Sequence, residues 1–407
     1  MAPELLPVPP TRGGAIERWI RDAAGRLAGR GHEVHVIARD HGDPSAGSGS
    51  PRAKSRGDGA TTTIIDGVHY HHIHVPPYLD RGLAAAVLRG LWYYRTAGRI
   101  IRRIAPDVIH HHSRPAGLWL CGGAAPKVIS LHSMEYGWGF GYRGWDRRLF
   151  RRGLVAAARV LCVSNFIRRH TLERYPELQA TAMTVYNGVD GSLFKPTSPQ
   201  APKPSSPQAL KPSGPQALIV YVGRVEERKG VHVLLEAFEK WISKQVPEAR
   251  LLIVGPHSYW DARPSAYYTD LATRCKMNPK IELRGPTYVD QELAEVYRNA
   301  TVSVIPSTFP EALGLTSIEA QAAGAPVVVS DAGGLPETVS AGKSGLVFAN
   351  GDAEQLAMAV LGLFADEPRR RTMAAAARDW AMTTFSWDVI AAQLEGVYAE
   401  ALAGGAR

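Results

Sequence analysis

Residues 218–240 read LIVYVGRVEERKGVHVLLEAFEK. The apolar, largely β-branched run Leu218–Val222 has the length and kind of a buried strand. Gly223-Arg224-Val225-Glu226-Glu227-Arg228-Lys229-Gly230 punctuates it, and a helical pattern begins at about Val231. A strand that turns through glycine into a helix is the unit from which doubly wound parallel sheets are built. Glycine at both ends of the turn leaves backbone N–H groups beside a helix N-terminus, where an anion is stabilised. Arg224 and Lys229 add a planar fork and a compact charge suited to phosphate. The plain alternative is a basic surface turn. The anion site is favoured because open α/β sheets bind ligands at the carboxyl ends of their strands. The turn is not a P-loop, since Lys229 precedes its glycine and no Ser or Thr follows.

Outward from this unit the same alternation recurs. Strands are expected at Arg250–Val254, Ile281–Arg284, Val302–Ile305, Pro326–Ser330 and Gly345–Val347. In the first half they are expected at Glu33–Ala38, His69–Val75, Asp107–His112, Lys127–His132, Val160–Val163 and Thr184–Tyr186. Helices among these include Ala15–Gly29, Leu83–Ile104 and Asn165–Tyr175. Two such series imply an α/β protein of two Rossmann-like domains with parallel sheets, and 407 residues exceed what one core usually holds. Between the series lies a tandem repeat, SPQAPKPS, SPQALKPS and GPQAL, with Pro199, Pro207 and Pro215 in register. So polar and proline-rich a unit reads as a semi-extended insertion marking the domain boundary. Another low-complexity stretch, His41 to Ala60, reads as a loop. Only ten residues precede Thr11-Arg12-Gly13-Gly14. The first strand is thus expected to be very short, or the chain to begin a few residues late, and the second is favoured.

A formal charge of +9 with 21% charged residues suits a soluble protein that meets anionic ligands. The arginines are spread along the chain without an aromatic-basic or zinc-finger pattern, so nucleic acid is not the expected partner. Cys121, Cys162 and Cys275 are scattered and odd in number, which argues for a reducing compartment. MAPELLPVPP lacks the layout of a signal peptide, and no apolar run approaches the ~18 residues of a spanning helix. A cytoplasmic location is expected.

The run PEALGLTSIEAQAAG, residues 310–324, is a loop turning into a helix with two glutamates, Glu311 and Glu319. Were all of it helical, they would stand roughly 80° apart in rotation and about 12 Å along the axis. A glycosidase pair sits ~5–9.5 Å apart, so this spacing suits two ends of one elongated ligand better. Two solvated glutamates on a surface helix explain the run equally well. Gly314 allows close backbone approach. His132, ending a strand before Ser133-Met134-Glu135-Tyr136-Gly137-Trp138, either faces a cleft or is a satisfied rim histidine. The Gly13-Gly14 turn receives a phosphate or is an ordinary tight turn. His110–His112 and His69, His71, His72 and His74 have strand spacing with no completing ligand set, so no metal site is expected. The basic, aromatic segment Arg143–Arg152 reads first as an acceptor-side loop or an inward-packed helix; contact with a membrane surface is the lesser reading.

Together these motifs resemble the retaining glycosyltransferases of family four, over nearly the whole chain, with a softer likeness to the spore-coat-like and secondary-metabolite branches. The resemblance rests on Gly13-Gly14, Asp107-Val108-Ile109-His110, His132, Val163-Ser164-Asn165, Asn187-Gly188-Val189-Asp190, Gly223-Arg224, Lys229-Gly230, Glu311 with Glu319, Gly333-Gly334-Leu335-Pro336-Glu337 and Gly345-Leu346-Val347. It implies two Rossmann-like domains facing a cleft. Residues 1–192 would take the acceptor, 193–217 link, 218–385 bind the nucleotide sugar, and 386–407 cross back to the first domain. It further implies that Arg224 and Lys229 bind the diphosphate and stabilise the leaving group, and that Glu319 holds the ribose hydroxyls. Glu311, with backbone amides around Leu313, Gly314 and Leu315, would hold the donor sugar. His132 would line the reaction centre, and Gly14 and Gly223 would approach the phosphates. The expected activity is metal- and cofactor-independent hexosyl transfer, with retention, from a UDP-sugar to a glycan or small-molecule hydroxyl. A phosphorylase or sugar-phosphate synthase, or a non-catalytic nucleotide-sugar binder, are the alternatives on the same fold. The family usually has Phe-Gly where Leu313-Gly314 stands here.

Overall fold

The computed structural model describes residues 1–2, 8–9, 14–40, 60–79, 83–134, 144–196, 217–258, 263–287 and 289–404. Gly13, the stretch 41–59, residues 135–143 and the repeat within 197–216 lie outside them. The chain divides into two compact units: Met1–Gly188 with Trp387–Arg407, and Val189–Ser386. Among the described residues no helix is long and apolar enough to cross a membrane.

The first unit holds β1 (Val34–Arg39), β2 (Ala60–Ile65), β3 (Val68–Ile73), β4 (Ile109–His112), β5 (Lys127–Leu131), β6 (Arg159–Cys162) and β7 (Ala182–Thr184). One sheet has the order β1-β3-β2 and the other β4-β5-β6-β7. All pairs but one are parallel; β2 runs antiparallel to β3. That strand was not expected, because Thr61–Ile65 lacks a clean apolar alternation. Asp66 and Gly67, both at positive φ, make the two-residue turn that joins it to β3. The last strand begins two residues earlier than its apolar run suggests. Val185 still donates to Cys162 O at 3.0 Å, while Thr184 and Tyr186 bond the Asn165 side chain.

Between the two sheets, Ala2 N donates to Ile37 O at 2.9 Å and the Met1 amine to His110 O. These two residues therefore lie along β1 on one side and β4 on the other. The helix Ala15–Gly29 buries Trp19, Ile20, Ala23, Ala24 and Leu27, one face at helical spacing. It packs against the helix Trp387–Gly404, whose Trp387, Ile390, Leu394, Val397 and Ala401 are buried in the same core. A side chain at Gly188 would strike the Trp387 ring, 2.3 Å from an added Cβ.

The second unit is a six-stranded sheet of β8 (Leu218–Val222), β9 (Arg250–Val254), β10 (Ile281–Arg284), β11 (Val302–Ile305), β12 (Val327–Ser330) and β13 (Gly345–Phe348). All its pairs are parallel, in the order β10-β9-β8-β11-β12-β13. Alternate residues serve two cores: Ile219, Tyr221, Leu251 and Ile253 face one, and Leu218, Val220, Leu252 and Val254 the other. The segment after Gly188 is tied to this unit. Arg298 donates to Leu193 O and Lys195 O at 2.6 and 2.7 Å, and Arg378 to the carbonyls of Gly191, Phe194 and Ala322.

Candidate active site

Strand order reverses between β8 and β11, since β9 and β10 lie on one side and β12 and β13 on the other. Loops leaving the carboxyl ends of two such strands diverge and open a crevice. The turn from β8 and the segment from β11 meet closely there. Gly230 stands in the left-handed region at φ 69, and an added Cβ would lie 1.8 Å from Pro306 O. At Gly255 an added Cβ would lie 1.9 Å from Gly223 O, so the end of β9 closes on the start of the same turn. Only glycine fits at either contact.

This packing brings Lys229 and Glu311 together. Lys229 Nζ lies 2.5 Å from Glu311 Oε1, and Ser307 Oγ donates to the same oxygen at 2.6 Å. Burial alone would raise the Glu311 carboxyl. The Lys229 charge and hydrogen bond, the Ser307 hydroxyl and the Arg224 charge outweigh it, and the group is held below its ordinary value. Arg224 lies 2.8 Å from Glu226 Oε1, while Arg228 bonds the other oxygen at 2.8 Å and sits over the Phe309 ring. Tyr221 OH donates to Arg224 O at 2.7 Å, fixing the turn from below. Burial, then the nearby Glu311 charge, push that phenol well above its usual range, so it stays a donor. Of these, Arg224, Lys229, Glu311 and Gly223 were expected from the sequence; Glu226, Ser307 and Tyr221 were not. Ser307 carries no signal, because its i,i+4 relation to Glu311 is made by a loop.

The Glu311–Glu319 run is only partly helical. The helix is Leu315–Ala322, opened by Gly314 at φ 115. Glu311 instead makes an isolated bridge to Gly333, with Gly334 N donating to Glu311 O at 2.7 Å. The spacing drawn from a continuous helix therefore does not apply. Glycine is required at the partner positions: an added Cβ at Gly333 would lie 2.5 Å from Glu311 O, and at Gly334 2.5 Å from Ala312 O. At Gly314 the vacant position is taken by Leu335, 2.4 Å from an added Cβ, so packing within the unit accounts for that glycine. The Leu313 side chain is buried. Glu319 is 6% exposed and accepts from Tyr297 OH at 3.0 Å, which excludes a solvated surface glutamate.

In the first unit His132 follows β5 and shares a 3.0 Å hydrogen bond between its Nε2 and His112 Nδ1. His110 bonds Tyr398 OH and Ser130 Oγ, both at 2.8 Å. Trp19 packs against all three rings. Burial pushes His132 down to about 3, and His110, His111 and His112 well below the ordinary range, so these imidazoles are neutral. Gly14 is the N-cap of Ala15–Gly29, and its carbonyl accepts from Arg18 N. Glu17 in that first turn is buried, which raises its carboxyl. The basic segment forms the helix Gly144–Val155, where Phe150 is buried and stacks on Tyr175 and Arg151 pairs with Glu177. Tyr136, Trp138, Phe140, Tyr142 and Arg143 lie outside the described residues.

Comparison with known proteins gives these positions a setting. Residues 13–193 match the family described as Glycosyltransferase Family 4, and residues 202–380 match Glycosyl transferases group 1. Spore coat protein SA of Bacillus subtilis is 26% identical, covering 98% of this chain and 98% of its own. D-inositol 3-phosphate glycosyltransferase of Streptosporangium roseum is 30% identical over 96% of this chain and 89% of its own. In fold the chain is similar to HepE of Anabaena, solved with UDP and glucose, at a TM-score of 0.66 and 19% identity over 95% of this chain and 96% of that one. The two doubly wound units and both matched halves lead to one assignment: the chain belongs to the group 1, family 4 glycosyltransferases, and is a glycosyltransferase.

Proposed function

We propose that the enzyme moves a hexosyl group, with retention and without a metal, from a UDP-sugar to an acceptor hydroxyl in cell-surface glycan or secondary-metabolite synthesis. The observation that carries this is the meeting of Arg224, Lys229 and Glu311 where strand order reverses. In this reading the diphosphate lies along the β8 turn, where Gly223 permits close approach of the backbone and the side chains of Arg224 and Lys229 supply the donors, the amides of Gly223, Val225, Lys229 and Gly230 being bonded to carbonyls of the unit. Arg224 and Lys229 carry the charge that grows on the leaving oxygen, the role a metal fills elsewhere. Glu311, ionised near neutrality, accepts hydrogen bonds from sugar hydroxyls and is no proton donor. The amides of Leu313, Gly314 and Leu315 act beside it. Glu319 takes the ribose hydroxyls.

The bond from the anomeric carbon to the phosphate oxygen breaks as the acceptor oxygen bonds on the same face. The departing oxygen takes the acceptor's proton. The first unit is assigned the acceptor, with His132 as its neutral hydrogen-bonding residue and Gly14 beside phosphate. The binding of UDP and glucose by HepE favours UDP as the base carrier. A donor screen by thermal shift and mass spectrometry, run with EDTA, tests the reading. Transfer or slow hydrolysis of a UDP-sugar is expected, with loss in Arg224→Ala and Glu319→Ala. Activity only with inorganic phosphate and a disaccharide would replace it by a phosphorylase.

A further inference from the structure

The helix Leu83–Ile104 contains Arg89, Arg95, Arg99, Arg102 and Arg103 and no aspartate or glutamate. Its inner face is buried through Tyr93, Tyr94, Ala97, Ile100 and Ile101, as an amphipathic helix requires. The outer face departs from the usual polar pattern. Val87, Leu88, Leu91 and Trp92 are 43%, 54%, 38% and 41% exposed. Arg95, Arg99, Arg102 and Arg103 continue the exposed stripe. At 100° per residue, positions 87 to 103 of this stripe fall within an arc of roughly 160° and extend about 24 Å. Tyr78, 74% exposed in the turn Pro77–Leu79 beside the helix, adds an aromatic ring with a polar tip.

A single face thus joins an apolar half to a wholly cationic half. Contiguous exposed apolar residues of this size mark a contact surface, and the arginines select an anionic one. Nucleic acid would meet the arginines but leave Val87, Leu88 and Leu91 in water. A phospholipid surface satisfies both halves, because apolar side chains enter below the headgroups while arginines reach lipid phosphates from their long stems. We propose that this face docks the enzyme on an anionic membrane surface. The inference lies entirely within the first unit and does not depend on the donor site.

The full-length chain is tested by co-sedimentation with vesicles of phosphatidylcholine alone and of phosphatidylcholine mixed with phosphatidylglycerol. Binding to the mixed vesicles, weakened by salt, is expected. Arg95→Gln/Arg99→Gln/Arg102→Gln should lower partitioning ~100-fold, at ~5-fold per arginine near such a surface. Leu88→Ser/Leu91→Ser should also reduce it while leaving the melting temperature and circular dichroism unchanged. Failure of the native chain to bind mixed vesicles overturns the proposal, as does undiminished binding by either variant. A dimer in solution that Leu88→Ser/Leu91→Ser dissociates, with no vesicle binding, assigns the face to a second copy instead.

Discussion

Lys229 Nζ and Glu311 Oε1 stand 2.5 Å apart, joining the turn after β8 to the segment after β11. The side chains are 21% and 18% exposed, so solvent screens the pair only in part. The cation proposed to meet phosphate is thus already matched by a carboxylate on the opposite wall. Lysine has three donors, and one engaged by Glu311 leaves the ammonium able to serve a second acceptor.

Replacing Lys229 with Met should leave that carboxylate to the Ser307 hydroxyl and cost about 1–3 kcal/mol. Lys229→Met/Glu311→Gln should recover part of the loss. Urea unfolding of the three proteins measures this; a single variant as stable as the native chain would show that the pair does not hold the walls together.

Because the Glu311 carboxyl is lower in the folded than in the unfolded state, its contribution is present above the unfolded value of ~4.3 and fades as pH falls through the folded one. Native melting temperature should therefore drop more steeply than that of Glu311→Gln between about pH 4.5 and 3. Parallel slopes would contradict the assigned shift.

Histidines 110, 111, 112 and 132 behave oppositely. They stay neutral in the fold but take up protons near pH 6.5 once unfolded, so stability should be level above ~6.5 and decline below it. Each can contribute up to ~1.4 kcal/mol per pH unit. His111 Nε2 is buried without a hydrogen-bond partner among the described residues. His111→Leu should flatten the decline by one proton and be no less stable at pH 5.5, as urea titrations at two pH values would reveal.

For the proposed transfer, Arg224→Ala should lower kcat about 10²–10³-fold, the size of loss seen when one donor to a developing oxyanion is removed. Arg224→Lys should retain more activity, though without the planar fork that also meets Glu226. Steady-state rates with a UDP-sugar settle this. A change confined to KM would assign Arg224 to ground-state binding alone.

Gly230→Ala combines positive φ with a Cβ 1.8 Å from a backbone carbonyl. It should cost at least ~2 kcal/mol. Thermal unfolding reads it directly, and a near-native melting temperature would mean that the two segments can separate.

Most of the second unit was legible because its strands are mainly apolar and several run into glycine turns. Leu218–Val222, Arg250–Val254, Ile281–Arg284 and Val302–Ile305 have the expected bounds. In the first unit β2 escaped notice, since Thr61–Thr63 carry little apolar signal and most of the strand's side chains are exposed; Asp66-Gly67 was the available clue. At the candidate site, charge and glycine placement singled out Arg224, Lys229 and Glu311, which the fold brings near one another. Their partners were hidden for a physical reason: Ser307, Tyr221 and Glu226 act through contacts set by where strands end, and sequence spacing does not encode these. The helix Leu83–Ile104 was legible in length, but its exposed apolar edge emerges only once the buried face is known.

The carbonyl of Pro306 occupying the place of a side chain at Gly230 has a mechanical consequence. Two loops from different strands are keyed to each other by main-chain atoms, with no intervening rotamer to absorb displacement. A ligand pushing on either wall therefore moves both. Under the proposed donor binding, adaptation to donors of different size would come from the reach of Arg224 and Lys229, above a floor that behaves as one rigid plate.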